Sequence, residues 1–161
     1  RAVHHPRPRG AESAGGGDER RIRVLRDRLE EGLLESFPDC QNNGRGSERL
    51  PNTCNVSFRY LEGESILVLL DQFGICASTG SACTAGSSEP SHVLRAMGVA
   101  PDWLQGAVRF SLSRFNTDQE VRYVNEKVPL IVQRLQGLSA LGKLAGQQEK
   151  PRAGNGIGVR G

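Results

Sequence analysis

The sequence has few aromatic residues and no long apolar run. Five Phe, two Tyr and one Trp make up 5% of its 161 residues, and the whole apolar fraction is 37%. The longest apolar run covers residues 66–70, far short of the roughly 20 residues of a membrane-spanning helix. The sequence therefore predicts no membrane-spanning segment, and its length is that of one domain.

The two ends of the chain nearly lack large apolar side chains. Residues 1–18 and 142–161 are rich in glycine and carry the net positive charge, whereas residues 19–141 hold 14 basic and 15 acidic side chains. We expect 1–18 and 142–161 to be disordered tails and the fold to occupy 19–141. Because the positive charge belongs to the ends, the sequence does not indicate a nucleic-acid-binding domain with a basic face.

Closely spaced cysteine pairs, typical of structural zinc sites, are also absent. Four cysteines stand at irregular intervals, at positions 40, 54, 76 and 83, and the histidines are at positions 4, 5 and 92. No apolar leader precedes the domain, so we expect free thiols and a cytoplasmic location. The chain begins at Arg1 and its one methionine is Met97, so we interpret it as a piece of a longer protein.

The spacing of apolar residues predicts an α+β fold. Helical spacing predicts four helices, at 22–37, 66–73, 92–97 and 117–138. Alternation and short apolar runs predict strands at 40–43, 53–59, 75–77 and 107–113. Pro129 is expected to kink or split the last helix. This order gives a small, mostly antiparallel sheet covered by helices.

One segment contains nothing that could anchor a core. Residues 78–88 are Ser, Thr, Gly and Ala with a single cysteine, Cys83, so we expect a mobile loop that carries a thiol. A thiolate there could attack carbon or sulfur, although an exposed thiol without a function is the alternative. Cys54 and Cys76 fall at apolar-facing strand positions and are expected to be buried. Cys40 lies at the start of a strand and indicates little.

Several segments around this loop resemble the C-terminal region of cysteine desulfurases. They read RLPNT (49–53), VSF (56–58), GES (63–65), STGSACT (78–84), EPSHVLRAMG (89–98) and RFSLS (109–113). The resemblance covers about residues 19–141 and is to the nitrogen-fixation and housekeeping iron–sulfur type. These enzymes are fold type I pyridoxal-phosphate enzymes of aminotransferase class V. The resemblance implies the C-terminal small domain of such an enzyme.

The resemblance also implies roles for two residues. Cys83 matches the cysteine that takes sulfur from L-cysteine as a persulfide while L-alanine is released. Arg109 matches the arginine that binds the substrate carboxylate, a contact suited to a planar guanidinium; on sequence alone it could equally be a surface arginine. Arg95, Arg114 and His92 are expected at the surface.

The partners that the resemblance implies are an iron–sulfur scaffold protein as sulfur acceptor and a second copy of the enzyme in a homodimer. With the scaffold, Cys83 could share a transient [2Fe-2S] cluster as a ligand. No nucleic acid or membrane partner is expected.

The family's cofactor platform has no counterpart in the sequence. Pyridoxal 5'-phosphate requires a Schiff-base lysine, an acidic partner for the pyridine nitrogen and phosphate donors. The three lysines, Lys127, Lys143 and Lys150, do not lie in the family's Ser-x-His-Lys context. We therefore expect no cofactor-binding residues in this chain and no activity of the chain alone. A non-catalytic sulfur-relay or scaffold-binding module remains an alternative, as does a remnant without chemistry.

Overall fold

Five helices and a three-stranded sheet form the described part of the protein. The computed structural model describes residues 11–79 and 91–148, with side chains for 16–79 and 91–138. The helices are α1 (Ala11–Ser36), α2 (Gly63–Gln72), α3 (His92–Ala96), α4 (Pro101–Leu104) and α5 (Asp118–Gln148). The strands are β1 (Cys40–Asn42), β2 (Thr53–Phe58) and β3 (Ala107–Ser111).

The sheet is antiparallel and has the order β1-β2-β3, which confirms the predicted α+β class. Its register places Cys40 opposite Phe58, and Thr53 opposite Ser111. One face carries the apolar members of each strand and the other carries mostly polar residues. This alternation is the period-two pattern that the sequence showed in β2 and β3.

The hydrophobic core lies between the apolar face of the sheet and helices α1, α2 and α5. The rings of Phe37 and Phe58 meet edge to face there, with centroids 6.0 Å apart. The helical stripes predicted from the sequence supply the buried side chains: Leu25, Leu29 and Leu33 from α1, Ile66 and Leu70 from α2, and Val121, Val128, Ile131 and Val132 from α5. Leu138, placed in the same stripe by its spacing, is instead exposed.

The predicted helix caps are confirmed. The Oγ of Ser91 accepts a hydrogen bond from the Leu94 N–H (3.5 Å) at the start of α3. Before α5, the Thr117 hydroxyl accepts from the Glu120 N–H (3.3 Å), and the Glu120 carboxylate accepts from the Thr117 N–H (2.7 Å). Gly74 (φ 68°) and Gly98 (φ 78°) follow α2 and α3 in the left-handed conformation expected of them.

The helices differ from the sequence-based expectations at several points. Helix α1 begins at Ala11 and α5 ends at Gln148, beyond the predicted ranges 22–37 and 117–138; an α-helix gains one backbone hydrogen bond for each residue added. Pro129 does not split α5, because Val128, Ile131 and Val132 stay buried on both sides of it. Helix α4 was not predicted, since four residues are too few to show a period.

The prediction of a strand at residues 75–77 was wrong. This segment forms no strand, and the one bridge nearby joins Ser78 to Arg109. The reason is that Gly74 turns the chain sharply after α2, where the Ile75 N–H bonds back to the Leu70 C=O (3.0 Å).

Helices α3 and α4 cover one end of the second sheet face. Leu94, Leu104 and Ala107 form a small apolar cluster there, with Val99 packed against it. Arg109, in the middle of β3 on this face, is exposed. Among the described helices, none is both long enough and apolar enough to cross a membrane.

Candidate active site

Arg109 lies in the middle of β3 with its backbone held on both sides. On one side it is opposite Asn55 of β2. On the other its N–H donates to the Ser78 C=O (2.6 Å) and its C=O accepts from the Ser78 N–H (3.0 Å). Its side chain is exposed and has no hydrogen-bond or ion-pair partner among the described residues. An arginine with a fixed backbone and an unpaired guanidinium is suited to binding an anion.

Four polar side chains form one row across this face of the sheet. The row runs Asn43, Asn55, Arg109 and Ser78, each directly opposite the next. The Asn43 N–H donates to the Asn55 C=O (2.8 Å), which continues the β1–β2 register by one residue. The row therefore connects the β1 edge of the sheet to the segment that leads into residues 80–90.

The amides in this row form a directional hydrogen-bond network. Gln41 Nε2 donates to Asn43 Oδ1 (3.0 Å). Asn43 Nδ2 in turn donates to Asn55 Oδ1 (2.7 Å) and to the hydroxyl of the fully buried Ser57 (2.7 Å). Each amide oxygen accepts from the β1 side, so the network fixes the orientation of the Asn55 side chain.

Cys83 lies outside the described residues, as does most of the predicted loop 78–88. Ser78 and Thr79 are described, and Ser78 is bonded to Arg109. Cys83 is five positions after Ser78 in the sequence, so chain length alone limits the distance between their Cα atoms to about 18 Å. The role of Cys83 stays a prediction, including its role as a cluster ligand. Among the described residues, no group of three or more His, Cys, Asp and Glu could hold a metal ion.

The three described cysteines divide into two buried thiols and one exposed thiol. Cys54 is fully buried, as predicted, and Cys40 is also buried. The prediction for Cys76 was wrong, because that side chain is exposed. Successive side chains of an extended segment point to opposite sides, and here Ile75 is the residue that turns inward. Burial raises the pKa of Cys40 to about 12 and the pKa of Cys54 well above its ordinary value.

Iodoacetamide at pH 8 is expected to modify Cys76 at least 100-fold faster than Cys40 or Cys54. A thiol with a pKa of about 12 is ionised only to about one part in 10⁴ at that pH, and burial also blocks the reagent. Peptide mass spectrometry over time measures each rate, and urea should make the buried thiols as reactive as Cys76. Labelling of Cys54 as fast as Cys76 without urea would contradict the buried position of β2.

The other predicted surface residues are where the sequence placed them. His92, Arg95 and Arg114 are exposed, and the guanidinium of Arg114 lies 4.9 Å from the ring centre of Phe115. None of the three takes part in the polar row of Asn43, Asn55, Arg109 and Ser78. Of Arg95, Arg109 and Arg114, Arg109 is therefore the one that lies in the polar row.

The described residues do not fit pyridoxal phosphate. Lys127 Nζ is 2.7 Å from Glu126 Oε1 and lies over the ring of Tyr123, 5.2 Å from its centre. The hydrogen bond to Glu126 raises the pKa of Lys127, whereas a lysine that reacts as an amine needs a lowered pKa. The side chains of Lys143 and Lys150 are outside the described part. No step of the chemistry is therefore derived through this cofactor.

A buried charge cluster holds the loop between β1 and β2, and it was not predicted. Both guanidinium Nη atoms of Arg49 bond to the Glu30 carboxylate (2.6 and 3.0 Å). Arg26 Nη1 donates to the Leu50 C=O (3.0 Å), and its Nε is 3.9 Å from Glu30 Oε1. Arg26 and Glu30 are four residues apart beside the apolar stripe of α1, a spacing that could have indicated an inward-facing pair.

Comparison with known proteins identifies the family. Residues 17–124 match the aminotransferase class-V family. A cysteine desulfurase of Trichormus azollae is 57% identical over 115 residues, which cover 71% of this chain and 29% of that protein. The cysteine desulfurase NifS of Azotobacter vinelandii is 48% identical over 130 residues, covering 81% of this chain and 32% of that protein.

Solved structures show the same relationship. A NifS-like protein superimposes with a TM-score of 0.62 at 32% identity, covering 74% of this chain and 29% of that chain. A NifS-like protein from Rickettsia africae gives a TM-score of 0.61 at 28% identity, covering 71% and 29%. The chain thus spans about a third of the length of the curated relatives it matches. It belongs to the aminotransferase class-V family and is similar in sequence and fold to part of the NifS-type cysteine desulfurases.

Proposed function

We propose that this chain supplies two groups of a cysteine desulfurase: Cys83, which receives the sulfur, and Arg109, which binds the carboxylate of L-cysteine. The observation that carries the proposal is the pair of backbone hydrogen bonds between Ser78 and Arg109. They hold the Arg109 guanidinium, which has no partner among the described residues, next to Ser78, from which the chain continues to Cys83. The names of the curated relatives, cysteine desulfurases in every case cited, support the same activity.

Arg109 binds and orients the substrate. A guanidinium donates two parallel hydrogen bonds to a carboxylate, which fixes the direction of the amino acid as well as its position. The charge is available because no acidic side chain among the described residues pairs with Arg109. Among the described residues, α3 and α4 cover only one end of the polar face on which it lies, and the Arg109 side chain is exposed there.

Cys83 accepts the sulfur atom. In the net reaction L-cysteine and the enzyme thiol give L-alanine and an enzyme persulfide. A carbon–sulfur bond breaks, a sulfur–sulfur bond forms, and the thiol proton balances the hydrogen gained by alanine. No external oxidant or reductant is required. The transfer demands a thiol that can reach the sulfur of the bound substrate, and the short chain between Ser78 and Cys83 supports Cys83 as that thiol.

The rest of the enzyme is proposed to lie in other parts of the protein. Pyridoxal phosphate would be bound by a larger N-terminal domain, which supplies the electron-accepting chemistry, and residues 19–141 would form the small domain. The full enzyme would be a homodimer that passes sulfur to an iron–sulfur scaffold protein, with a transient [2Fe-2S] cluster on Cys83 during transfer. The chain alone would then be inactive.

A chimera tests the proposal. This chain replaces the matching part of the Trichormus azollae cysteine desulfurase, and alanine formation is measured against L-cysteine concentration. Arg109→Ala is expected to raise the KM for L-cysteine about 10- to 100-fold, because a charge-assisted contact worth roughly 1.5–3 kcal/mol is lost. Arg109→Lys should recover only part of the affinity, since an ammonium lacks the two-pronged geometry.

Arg114→Ala is the matched control, because Arg114 is an exposed arginine outside the polar row. It should leave KM unchanged. An unchanged KM in Arg109→Ala together with a raised KM in Arg114→Ala would transfer the carboxylate contact to Arg114. Sulfur acceptance by Cys83 that needs neither arginine would favour a non-catalytic sulfur relay, which has no use for a substrate carboxylate site.

A further inference from the structure

Asn55 and Arg109 form a cross-strand pair of the type in which side chains approach more closely. Continued at its two ends, the β2–β3 register places Phe58 opposite Gly106 and Asn52 opposite Leu112. Both of these pairs are hydrogen-bonded: the Phe58 N–H donates to the Gly106 C=O (3.0 Å), and the Leu112 N–H donates to the Asn52 C=O (2.8 Å). Hydrogen-bonded and non-hydrogen-bonded pairs alternate along an antiparallel ladder, so the even-numbered residues of β2 form the hydrogen-bonded pairs. Asn55 therefore forms a non-hydrogen-bonded pair with Arg109. Side chains approach more closely in such pairs, with Cβ atoms about 5 Å apart.

The hydrogen-bond network occupies the oxygen of the Asn55 amide and not its nitrogen. Asn55 Oδ1 accepts from Asn43 Nδ2, on the β1 side. The oxygen and nitrogen of a planar amide are separate corners of one trigonal carbon, so the contact of Asn43 with Oδ1 leaves Asn55 Nδ2 able to donate to another group. That nitrogen has no hydrogen-bond partner among the described residues. Two neighbouring groups, the Asn55 amide and the Arg109 guanidinium, therefore offer only donors.

We propose that Asn55 is a second substrate-binding residue, which donates to the same carboxylate as Arg109, and that Asn43 positions its amide. This inference rests on the proposed function and adds a residue to its carboxylate site. A pair of donors carrying one positive charge matches a singly charged carboxylate. Asn43 does not touch the substrate; it acts by holding Asn55 through the 2.7 Å hydrogen bond and is itself fixed by Gln41 and Ser57.

Nuclear magnetic resonance of the full chain tests the contact directly. L-Alanine, which has the carboxylate and amine of the substrate but no thiol, is titrated into the ¹⁵N-labelled protein. Its carboxylate should shift the Asn55 side-chain NH₂ and the Arg109 Nε–H signals together, with one dissociation constant. L-Alaninamide, in which the carboxylate is a neutral amide, should shift neither signal.

Variants separate the role of each residue. Asn55→Ala should weaken L-alanine binding, followed by the Arg109 signal, about three- to tenfold. Asn55→Asp should weaken it further, because the new carboxylate repels the ligand and pairs with Arg109. Asn43→Ala should weaken L-alanine binding about twofold. Ser111→Ala is the matched control, an exposed residue two positions from Arg109 on the same face, and should change nothing. The methyl signals of the fully buried Val56 and Val108 report whether the sheet is intact.

The outcomes distinguish this inference from the proposed function. If Arg109→Ala abolishes L-alanine binding while Asn55→Ala and Asn55→Asp match Ser111→Ala, Asn55 is not a ligand and the inference fails alone. If L-alanine shifts neither signal, or if Arg109→Ala leaves binding unchanged, the carboxylate site itself is wrong and the proposed function fails with it. In the chimera, Asn55→Ala should raise KM with little change in kcat; a fall in kcat alone would also overturn the inference.

Discussion

Replacing Cys83 by Ser is expected to reduce alanine formation by the chimera by at least 1,000-fold. A serine hydroxyl is ionised far less than a thiol near neutral pH, and oxygen cannot form the sulfur–sulfur bond that the net reaction requires. Binding of L-cysteine should change little, because the carboxylate contact belongs to Arg109. Alanine is measured in a stopped assay at saturating L-cysteine, and the KM from residual activity or a competition assay reports binding.

The matched control for this experiment is Cys76→Ser. Cys76 is exposed and only seven residues before Cys83, so it is the described thiol best placed to replace Cys83 as an acceptor. We expect Cys76→Ser to retain full alanine formation. If Cys83→Ser keeps most of the activity and Cys76→Ser loses it, the acceptor is Cys76, and the resemblance around residues 78–84 has been misinterpreted.

Replacing Glu30 by Gln is expected to lower the free energy of unfolding by about 3–5 kcal/mol, the typical cost of removing one partner of a buried ion pair. Only 8% of the Glu30 side chain is accessible, and its carboxylate accepts two hydrogen bonds from Arg49. An amide leaves Arg49 without the carboxylate that it binds, whereas the buried Arg26 keeps its ion pair with Asp27 (2.8 Å). Urea unfolding of the full chain, followed by circular dichroism, measures the change.

Two further variants make this prediction specific. Glu31→Gln removes the same charge from the next position of α1, which is exposed, and should change stability by less than about 0.5 kcal/mol. Glu30→Gln combined with Arg49→Gln should recover part of the loss, because the two residues are coupled and the unpaired charge is gone. Equal effects of Glu30→Gln and Glu31→Gln would show that the cluster does not hold the β1–β2 loop.

Local sequence signals predicted most of the fold. The apolar stripe of α1 and the alternation in β2 and β3 identify elements whose buried face is set by their own periodicity. The caps at Ser91 and at Thr117–Glu120 follow from hydrogen bonds within four residues. For each of these, neighbouring positions in the chain contain the whole physical reason, so the sequence is sufficient.

The errors concern features that depend on distant parts of the chain. Cys76 was expected to be buried because it falls at an apolar-facing position of a predicted strand, but the inward position of that segment is set by the turn at Gly74 and by the packing of Ile75. The Arg49–Glu30 pair joins positions 19 residues apart, and no local pattern connects them.

The candidate site was only partly accessible to sequence reasoning. Arg109 was identified through a family resemblance, and its exposed position agrees with the alternation of β3. The partners that surround it, Asn43, Asn55 and Ser78, come from three separate segments. They meet only because strand register aligns them in one row, and the single sequence contains no signal for that register across long loops.

Locating the transferred sulfur tests the central claim most directly. The chimera is incubated briefly with ³⁵S-labelled L-cysteine and alkylated, and trypsin then releases residues 60–95, which contain both Cys76 and Cys83 and have no internal cleavage site. Fragmentation of this peptide identifies the modified residue. We predict one added sulfur on Cys83, equal in amount to the alanine formed in the first turnover. Label on Cys76, or alanine formed with no label on either cysteine, would contradict the assignment of Cys83 as the sulfur acceptor.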